Sequence, residues 1–263
     1  MPYTLENIQH SMAKLDPPSM ILYGVEKIGK SSFGANLDAP IFIPTEPGLG
    51  NIDCEAFPLC EAYENVLESL TSLATDTHNY KSLVIDSADW LESLLWNFLC
   101  REHGTDSIEK VDGGYGKGFG VALEKWREYF QYLDYLKREK GMAILQIAHS
   151  KIKEVKSPDS DIYDKYTIKL QDGKNTSAAN LLFEYADIIL FANYKTNTVK
   201  EKVSKDMNRN RAIGTGARFL YTEERPAFKA GNRYGLPAEI PFDKEGVCWQ
   251  TIKKSIPYYN QNT

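Results

Sequence analysis

Residues 21–33 read ILYGVEKIGKSSF, and this stretch decides the fold class of the 263-residue chain. The apolar run at 19–23 ends at a glycine, which predicts a buried β-strand. Residues 24–31 then fit the pattern G-x-x-x-x-G-K-[ST], and the sequence KSSFGANL that follows predicts a helix start. We therefore predict a phosphate-binding loop between a strand and a helix, with the positive helix N-terminus facing the anion.

Each residue type in this loop has a chemical reason. Glycine lets backbone N–H groups turn inward around phosphates. Lys30 is expected to reach the β- and γ-phosphates, and the Ser31 hydroxyl to coordinate Mg²⁺, so the predicted ligands are ATP and Mg²⁺. The predicted nucleotide-binding residues are Gly24, Val25, Glu26, Lys27, Ile28, Gly29, Lys30, Ser31 and Ser32.

Two carboxylates outside the loop are candidates for the reaction. Asp86 follows the apolar run 83–85, where a strand-end aspartate holds Mg²⁺ through its water shell. Asp89 is the rival metal ligand, although its place one helical turn later is typical of a helix-start acid. Glu46 lies just past the strand PIFIP and would face the γ-phosphate if that strand lay beside the loop strand. A solvent-exposed loop acid is the equally supported alternative for Glu46.

Alternating strands and helices predict an α/β fold with a mainly parallel sheet between helices. Strands are predicted at 40–44, 81–87, 142–150 and 186–194, and helices at 4–15, 61–75, 88–104, 121–141 and 176–185. The rest of the C-terminal third is predicted to form short strands and turns. We expect an N-terminal helical extension at 1–18, an ATPase core at 19–240 and a C-terminal tail at 241–263.

Composition bounds the function further. The net charge of −5 argues against a generally basic surface, so nucleic acid would have to meet a local patch. The first 20 residues lack a signal-peptide pattern, and no apolar run reaches the roughly 18 residues of a membrane span. We expect a cytoplasmic protein without a membrane partner.

In this order, six segments resemble a known family: YGVEKIGKSSF, FIPTEPGL, LVIDSADWL, GGYGKGF, ILQIAHSKIKE and FKAGNRYGLP. The chain resembles the RecA-like P-loop ATPases, and more narrowly the phage-encoded proteins of the Sak single-strand-annealing group. The resemblance spans roughly residues 19–240 and implies a RecA-like core with a β-rich C-terminal part. It also implies a phage protein acting in the bacterial host cell.

The same resemblance implies roles for three residues. Glu46 would activate the attacking water, and His149 would be the polar sensor of the γ-phosphate, although a lone strand-end histidine is more often an ordinary polar residue. Arg233 matches an arginine finger that completes the site of a neighbouring subunit in a ring or filament. The lysine usual two positions earlier is replaced by Gly231, and Lys229 is the possible substitute.

Relatives of this kind bind single-stranded DNA through two loops. In the first loop, Tyr115, Lys117 and Phe119 offer stacking and phosphate contact, or the aromatics pack back on the core. The second loop, residues 151–174, contains Lys151 and Lys153, but its net charge of +1 equally suits a surface β-hairpin.

A more basic segment occupies residues 195–218, where seven basic residues stand against two acidic ones. Arg209 and Arg211 are its predicted DNA contacts. Its glycines suggest a mobile hairpin, and a solvated charged face is the alternative.

Taken together, the sequence predicts a Mg²⁺-dependent, DNA-stimulated ATPase that promotes strand annealing or pairing. The predicted partners are single-stranded DNA, further copies of the chain and a single-strand-binding protein. A P-loop small-molecule kinase and a non-catalytic module that ATP switches between assembly states are the alternatives.

Overall fold

The structure is a computed structural model that describes residues 15–156, 161–204, 207–243 and 247–260. For 196–204 and 207–215 only the backbone is described. The predicted helix at 4–15 therefore falls almost wholly outside the described residues, and so do the side chains of Arg209 and Arg211.

The described chain alternates between strands and helices over most of its length. The strands are β1 Ser19–Gly24, β2 Pro40–Pro44, β3 Glu55–Ala56, β4 Ser82–Asp86, β5 Ala143–Val155, β6 Tyr163–Ile168, β7 Ile188–Ser204, β8 Met207–Tyr221, β9 Gly231–Asn232 and β10 Glu239–Pro241. The helices are α1 Lys30–Ala35, α2 Tyr63–Thr75, α3 Ala88–Glu102, α4 Gly118–Glu139, α5 Ala178–Tyr185 and α6 Val247–Lys253. Short 3-10 helices cover Leu49–Asn51, Ile108–Gly113 and Pro257–Asn260.

The sheet runs in the order β10-β8-β7-β1-β5-β4-β2-β3, with β6 paired to β5 and β9 to β7. Pairing is parallel from β7 through β3 and antiparallel where β8, β10, β6 and β9 join. The predicted α/β class with a mainly parallel, helix-flanked sheet and a β-rich C-terminal part is thereby confirmed.

Helices cover both faces of the sheet, which is why β1 is buried along its whole length. Ile21 and Tyr23 pack in a cluster with side chains of α2, α3, α4 and α5. Met20 and Leu22 point the other way, into a cluster that contains Phe33 of α1 and Trp249 of α6. Successive side chains of a strand point to opposite faces of the sheet, and both faces of β1 are covered by helices. Every position of β1 is therefore apolar or small, which gives the continuous apolar run seen in the sequence.

The order of the strands decides how Glu46 can reach the loop. The strand PIFIP, β2, does not lie beside the loop strand β1, because β5 and β4 are inserted between them. β4 pairs with β5 across 61 residues and β1 with β5 across 125 residues, and pairing over such distances depends on tertiary packing that local sequence does not encode. All four strands nevertheless run parallel, so their carboxyl ends lie at one edge of the sheet.

The segments after β5 form two hairpins. β5 extends beyond its predicted end and pairs antiparallel with β6 from Ser150 to Val155, which is the surface-hairpin alternative for the second loop. The basic segment is the far part of a longer hairpin, in which β7 and β8 comprise 17 and 15 residues. The prediction of only short strands there was wrong, since backbone pairing continues well past the apolar part of β7.

No helix among the described residues is long and apolar enough to cross a membrane.

A buried glutamate on α3 anchors the chain after β6. Glu92 is 6% exposed, and its Oε2 accepts a hydrogen bond from the Gln171 backbone N–H at 2.9 Å. Its other oxygen, Oε1, has no hydrogen-bond partner among the described residues. Burial raises the pKa of Glu92 from its ordinary 4.5 to about 7, although the Gln171 hydrogen bond opposes this shift.

Glu92 should make the stability of the fold depend on pH. A carboxyl whose pKa is raised by folding binds its proton more tightly when folded, so stability falls as pH rises from about 4.5 to about 7. The loss is on the order of 3 kcal/mol. Glu92→Gln keeps an acceptor for Gln171 and cannot ionise, so denaturation at pH 5 and pH 8 should show a smaller difference. The control Glu102→Gln changes an exposed acid of the same helix, and equal pH dependence in both variants would contradict this prediction.

Candidate active site

The phosphate-binding loop lies between β1 and α1, as predicted. Gly29 precedes α1 with φ of 113°, a backbone conformation that side chains disfavour. At Gly24 the constraint is space, since a side chain there would collide with the carbonyl of Ala192 on β7. The two glycines of the pattern are thus required by backbone shape and by close strand packing.

Lys30 is a buried cation without a carboxylate at ion-pair distance among the described residues. It is 7% exposed, and its Nζ donates to the carbonyls of Gly24 at 3.3 Å and Val25 at 2.9 Å. Burial lowers the pKa of Lys30, and the nearby carboxylates of Asp86 and Glu46 oppose that shift. A phosphate oxygen is a better partner for a buried ammonium than a neutral carbonyl, so this loop fits a nucleotide polyphosphate.

Asp86 ends β4 and meets the loop from the other side. It is 4% exposed, and burial raises its pKa, while a hydrogen bond from Ser31 and the charge of Lys30 lower it. Ser31 and Asp86 therefore lie together, as a shared Mg²⁺ site requires. Mg²⁺ typically takes one or two carboxylates plus substrate phosphates, which suits this pair.

Thr45 fixes the end of β2 against the end of β4. Its backbone N–H donates to the Asp86 carbonyl at 2.7 Å, and its hydroxyl donates to the Ser87 carbonyl at 2.7 Å. The Ser87 N–H in turn donates to the Thr45 hydroxyl at 2.8 Å. This buried exchange holds Glu46, the next residue, beside the loop although β2 is not a neighbour of β1. Sequence reasoning missed Thr45, whose only signal is its place before Glu46.

Glu46, Lys30, Ser31, Asp86 and His149 line one cleft of about 330 Å³. The structure thus brings together the predicted water-activating glutamate, the loop lysine, both predicted metal ligands and the predicted sensor. Burial raises the pKa of Glu46, and the adjacent His149 opposes the shift. A carboxylate with a raised pKa beside a phosphate-binding loop is suited to accept a proton from water.

His149 is oriented by Asp89. The backbone N–H of His149 donates to Asp89 Oδ1 at 3.0 Å, and its Nδ1 lies 3.0 Å from Asp89 Oδ2. The opposite ring atom, Nε2, lies 4.0 Å from Glu46 Oε1. Asp89 is in the first turn of α3, and its carboxylate bonds histidine rather than facing the loop. Its role as the partner of His149 was not foreseen, since nothing in the local sequence links residues 60 apart.

The predicted arginine finger is not in this cleft of its own chain. Arg233 follows β9, and its Nη1 contacts Asp187 Oδ1 at 3.2 Å. Asp187 also bonds the N–H of Ser19, the first residue of β1, so it lies at the sheet edge opposite the loop. Lys229 places its Nζ 4.5 Å from the ring centroid of Phe183.

The predicted DNA residues whose side chains the structure describes do not line the active-site cleft. Tyr115 is fully exposed, whereas Phe119 packs edge-on against Trp96 at 5.6 Å between ring centroids. Lys151 donates to the Leu170 carbonyl, and Lys153 pairs with Asp172 at 2.6 Å. Lys117 is exposed.

A second cleft, of about 510 Å³, lies between α3 and the chain that follows β6. Trp90, Trp96, Lys151 and Lys169 line it, and Trp90 is 44% exposed. Asp89 also lines this cleft, and its carboxylate contacts His149 of the active-site cleft. Sequence reasoning missed Trp90, whose only signal was its place as an aromatic residue on the first turn of α3.

The Asp89–His149 contact should determine the protonation of the histidine. The hydrogen bond to Asp89 raises the pKa of His149, whereas burial lowers it. Asp89→Asn should therefore lower the pKa of His149. NMR titration of the imidazole measures this pKa, and the signal that is missing in His149→Gln identifies the resonance of His149. Asp106→Asn, an exposed acid paired with Lys110, is the control that should leave the titration unchanged. An unchanged titration in Asp89→Asn would contradict this pairing.

Comparisons with known proteins identify the family to which this chain belongs. The SPbeta prophage-derived uncharacterized protein YorG of Bacillus subtilis (strain 168) is 21% identical over 140 residues, 52% of this chain and 42% of YorG. The chain thus matches less than half the length of that relative. The crystal structure of the RadB recombinase is similar with a TM-score of 0.45 and 11% identity, over 88% of this chain and 90% of RadB. A family model described as an AAA domain matches residues 16–234. Because that match covers more than half of the chain, the protein belongs to this AAA domain family of P-loop ATPases.

Proposed function

We propose that this protein is a RecA-like, Mg²⁺-dependent ATPase that is stimulated by single-stranded DNA and supports strand annealing or pairing by a phage. The observation that carries the ATPase proposal is the convergence of Lys30, Asp86, Glu46 and His149 on one cleft beside the loop. A small-molecule kinase, the competing activity, would need to hold its acceptor in the adjoining cleft that shares Asp89 with the active site. The prophage origin of YorG supports a phage-encoded protein that acts in the cytoplasm of the bacterial host.

Binding of ATP would exchange the partners of Lys30. Its ammonium now donates to two carbonyls of the loop and would instead donate to phosphate oxygens, which are charged acceptors. Ser31 and Asp86 would hold Mg²⁺. When bound, Mg²⁺ neutralises charge that develops on the phosphate oxygens.

Glu46 would then accept a proton from the water that attacks the terminal phosphate. Its position past β2, fixed by Thr45, and its raised pKa support this role. Because Asp89 raises the pKa of His149, the imidazolium would donate one hydrogen bond from Nδ1 to Asp89 and another from Nε2 to the terminal phosphate. Release of the terminal phosphate would remove that hydrogen bond, so His149 on β5 would have different partners before and after hydrolysis.

Arg233 would act on the cleft of a neighbouring copy. Its exposed side chain and its distance from its own loop support action in trans. The resulting assembly would be a ring or filament.

A mixture of inactive Arg233→Ala and Glu46→Gln chains should regain turnover if the two variants co-assemble, because one type of interface then has both groups. No recovery of turnover in a co-assembled mixture would argue for a self-sufficient monomer.

Single-stranded DNA binding rests on aromatic and basic groups near the active site. Tyr115 and Trp90 present exposed rings, and Lys117, Lys151 and Lys169 provide positive charge close to them. Rings of this kind stack bases without regard to sequence. The cleft lined by Trp90 shares Asp89 with the active site, which supports stimulation of turnover by DNA. A single-strand-binding protein remains part of the proposal as a further partner.

Glu46→Gln should bind ATP almost normally but hydrolyse it about 10²-fold or more slowly, because the amide cannot take a proton. Lys30→Ala is the contrasting variant and should lose ATP binding as well. Equilibrium binding of a fluorescent ATP analogue and steady-state phosphate release measure the two effects separately. If Glu46→Gln loses binding and turnover together, Glu46 is structural.

Tyr115→Ala should weaken binding of single-stranded DNA by about 1–3 kcal/mol, the value of one lost base stack, with little change in salt dependence. Tyr135→Ala, on the exposed surface of α4, is the matched control.

Removing Arg209 and Arg211 together should flatten the slope of log affinity against log salt by about 1.4, since each phosphate contact contributes about −0.7. Filter binding across a salt series measures both effects. Wild-type affinity and slope in all variants would reject DNA binding through these segments.

A further inference from the structure

A second cation reaches the phosphate-binding loop from the C-terminal part of the chain. Arg218 lies on β8, and its Nη1 donates to the Ile28 carbonyl of the loop at 2.8 Å. A Cβ added to Gly29 would lie 3.3 Å from the same Nη1. Arg218 also lines the cleft that contains Lys30 and Ser31. The guanidinium therefore lies against the stretch of loop that would hold phosphates.

The sheet order brings Arg218 to the loop from the side opposite the acidic groups. β8 is two strands from β1 on one side, through β7, whereas β5 and β4 lie on the other side. His149 and Asp86 come from that other side, and Glu46 comes from β2 beyond it. The loop thus lies between an arginine side and a carboxylate–histidine side.

Packing fixes the position of the Arg218 side chain. Its backbone carbonyl accepts a hydrogen bond from the Phe242 N–H at 2.9 Å, and its guanidinium carbon lies 5.8 Å from the Phe242 ring centroid. Among the described residues, no aspartate or glutamate lies within 4.0 Å to neutralise it, so its charge is available to an anion. A guanidinium has five N–H donors in a planar fork, and the Ile28 carbonyl accepts from one nitrogen.

We propose that Arg218 is a nucleotide-binding residue that contacts the inner phosphates of the nucleotide held by its own chain. This inference rests on the proposed nucleotide-binding function. A guanidinium suits the task because it binds phosphate oxygens through two parallel hydrogen bonds and keeps its charge when half-buried. The terminal phosphate belongs on the opposite side, next to Glu46 and His149. Arg218 should therefore contribute equally to ATP and ADP binding.

Arg218→Gln is the main test, since the shorter amide stays polar but loses both the charge and the guanidinium fork. The dissociation constants for ATP and for ADP should both rise about tenfold or more, the usual effect of losing a charged hydrogen bond. KM for ATP should rise with them, while kcat at saturating ATP should stay within about threefold, since no transition-state contact is removed. Arg127→Gln, on the exposed surface of α4, is the control.

Arg218→Lys provides a second, milder variant, which keeps the charge but not the fork, and its affinities should fall between those of wild type and Arg218→Gln. Melting temperatures without nucleotide separate lost binding from lost folding. Unchanged dissociation constants in both variants, or weakened ATP binding with unchanged ADP binding, would overturn the proposal. If Lys30→Ala also binds nucleotide normally, the proposed function itself fails. If only Lys30→Ala loses binding, the role of Arg218 alone is rejected.

Discussion

Four parallel strands end at one edge of the sheet, and the chemistry of this protein depends on that constraint. β1 ends in the phosphate-binding loop, β4 in Asp86 and β2 just before Glu46, while β5 carries His149 at the same level as Gly24. Open parallel sheets bind ligands outside the carboxyl ends of their strands for this reason. Inserting β5 and β4 between β1 and β2 does not separate Glu46 from the loop, because the buried contacts between Thr45 and Ser87 bring it back.

Much of the fold could be predicted because its elements carry local signals. The runs that became β1, β2 and β4 are apolar on both faces, and this matches their complete or nearly complete burial. The predicted helix at 61–75 is found at Tyr63–Thr75, since its apolar residues recur at helical spacing. The loop motif carries its own mechanism, so its position after β1 and before α1 was predictable in detail.

What could not be predicted depends on contacts between distant parts of the chain. The order of strands is one case, and the length of the β7–β8 hairpin is another, because its polar far part offers no periodic apolar pattern. Asp89 was recognisable as a helix-start acid, but its bond to His149 joins residues 60 positions apart. Arg218 and Ile28 are separated by 190 positions, so a count of basic residues in 195–218 assigned Arg218 to the charged segment alone.

The charges around the loop are divided in a way that suits one kind of ligand. Lys30 and Arg218 present cations at the loop itself, while Asp86 and Glu46 present carboxylates on the far side. A polyphosphate alone would be repelled by those carboxylates, and a lone divalent cation would be repelled by Lys30. A metal-bound triphosphate carries negative charge along its chain and positive charge at its metal, so it complements both sides of the cleft. Burial raises the pKa values of both carboxylates. Bound metal would therefore give Asp86 and Glu46 a positive partner in addition to the charges already near them.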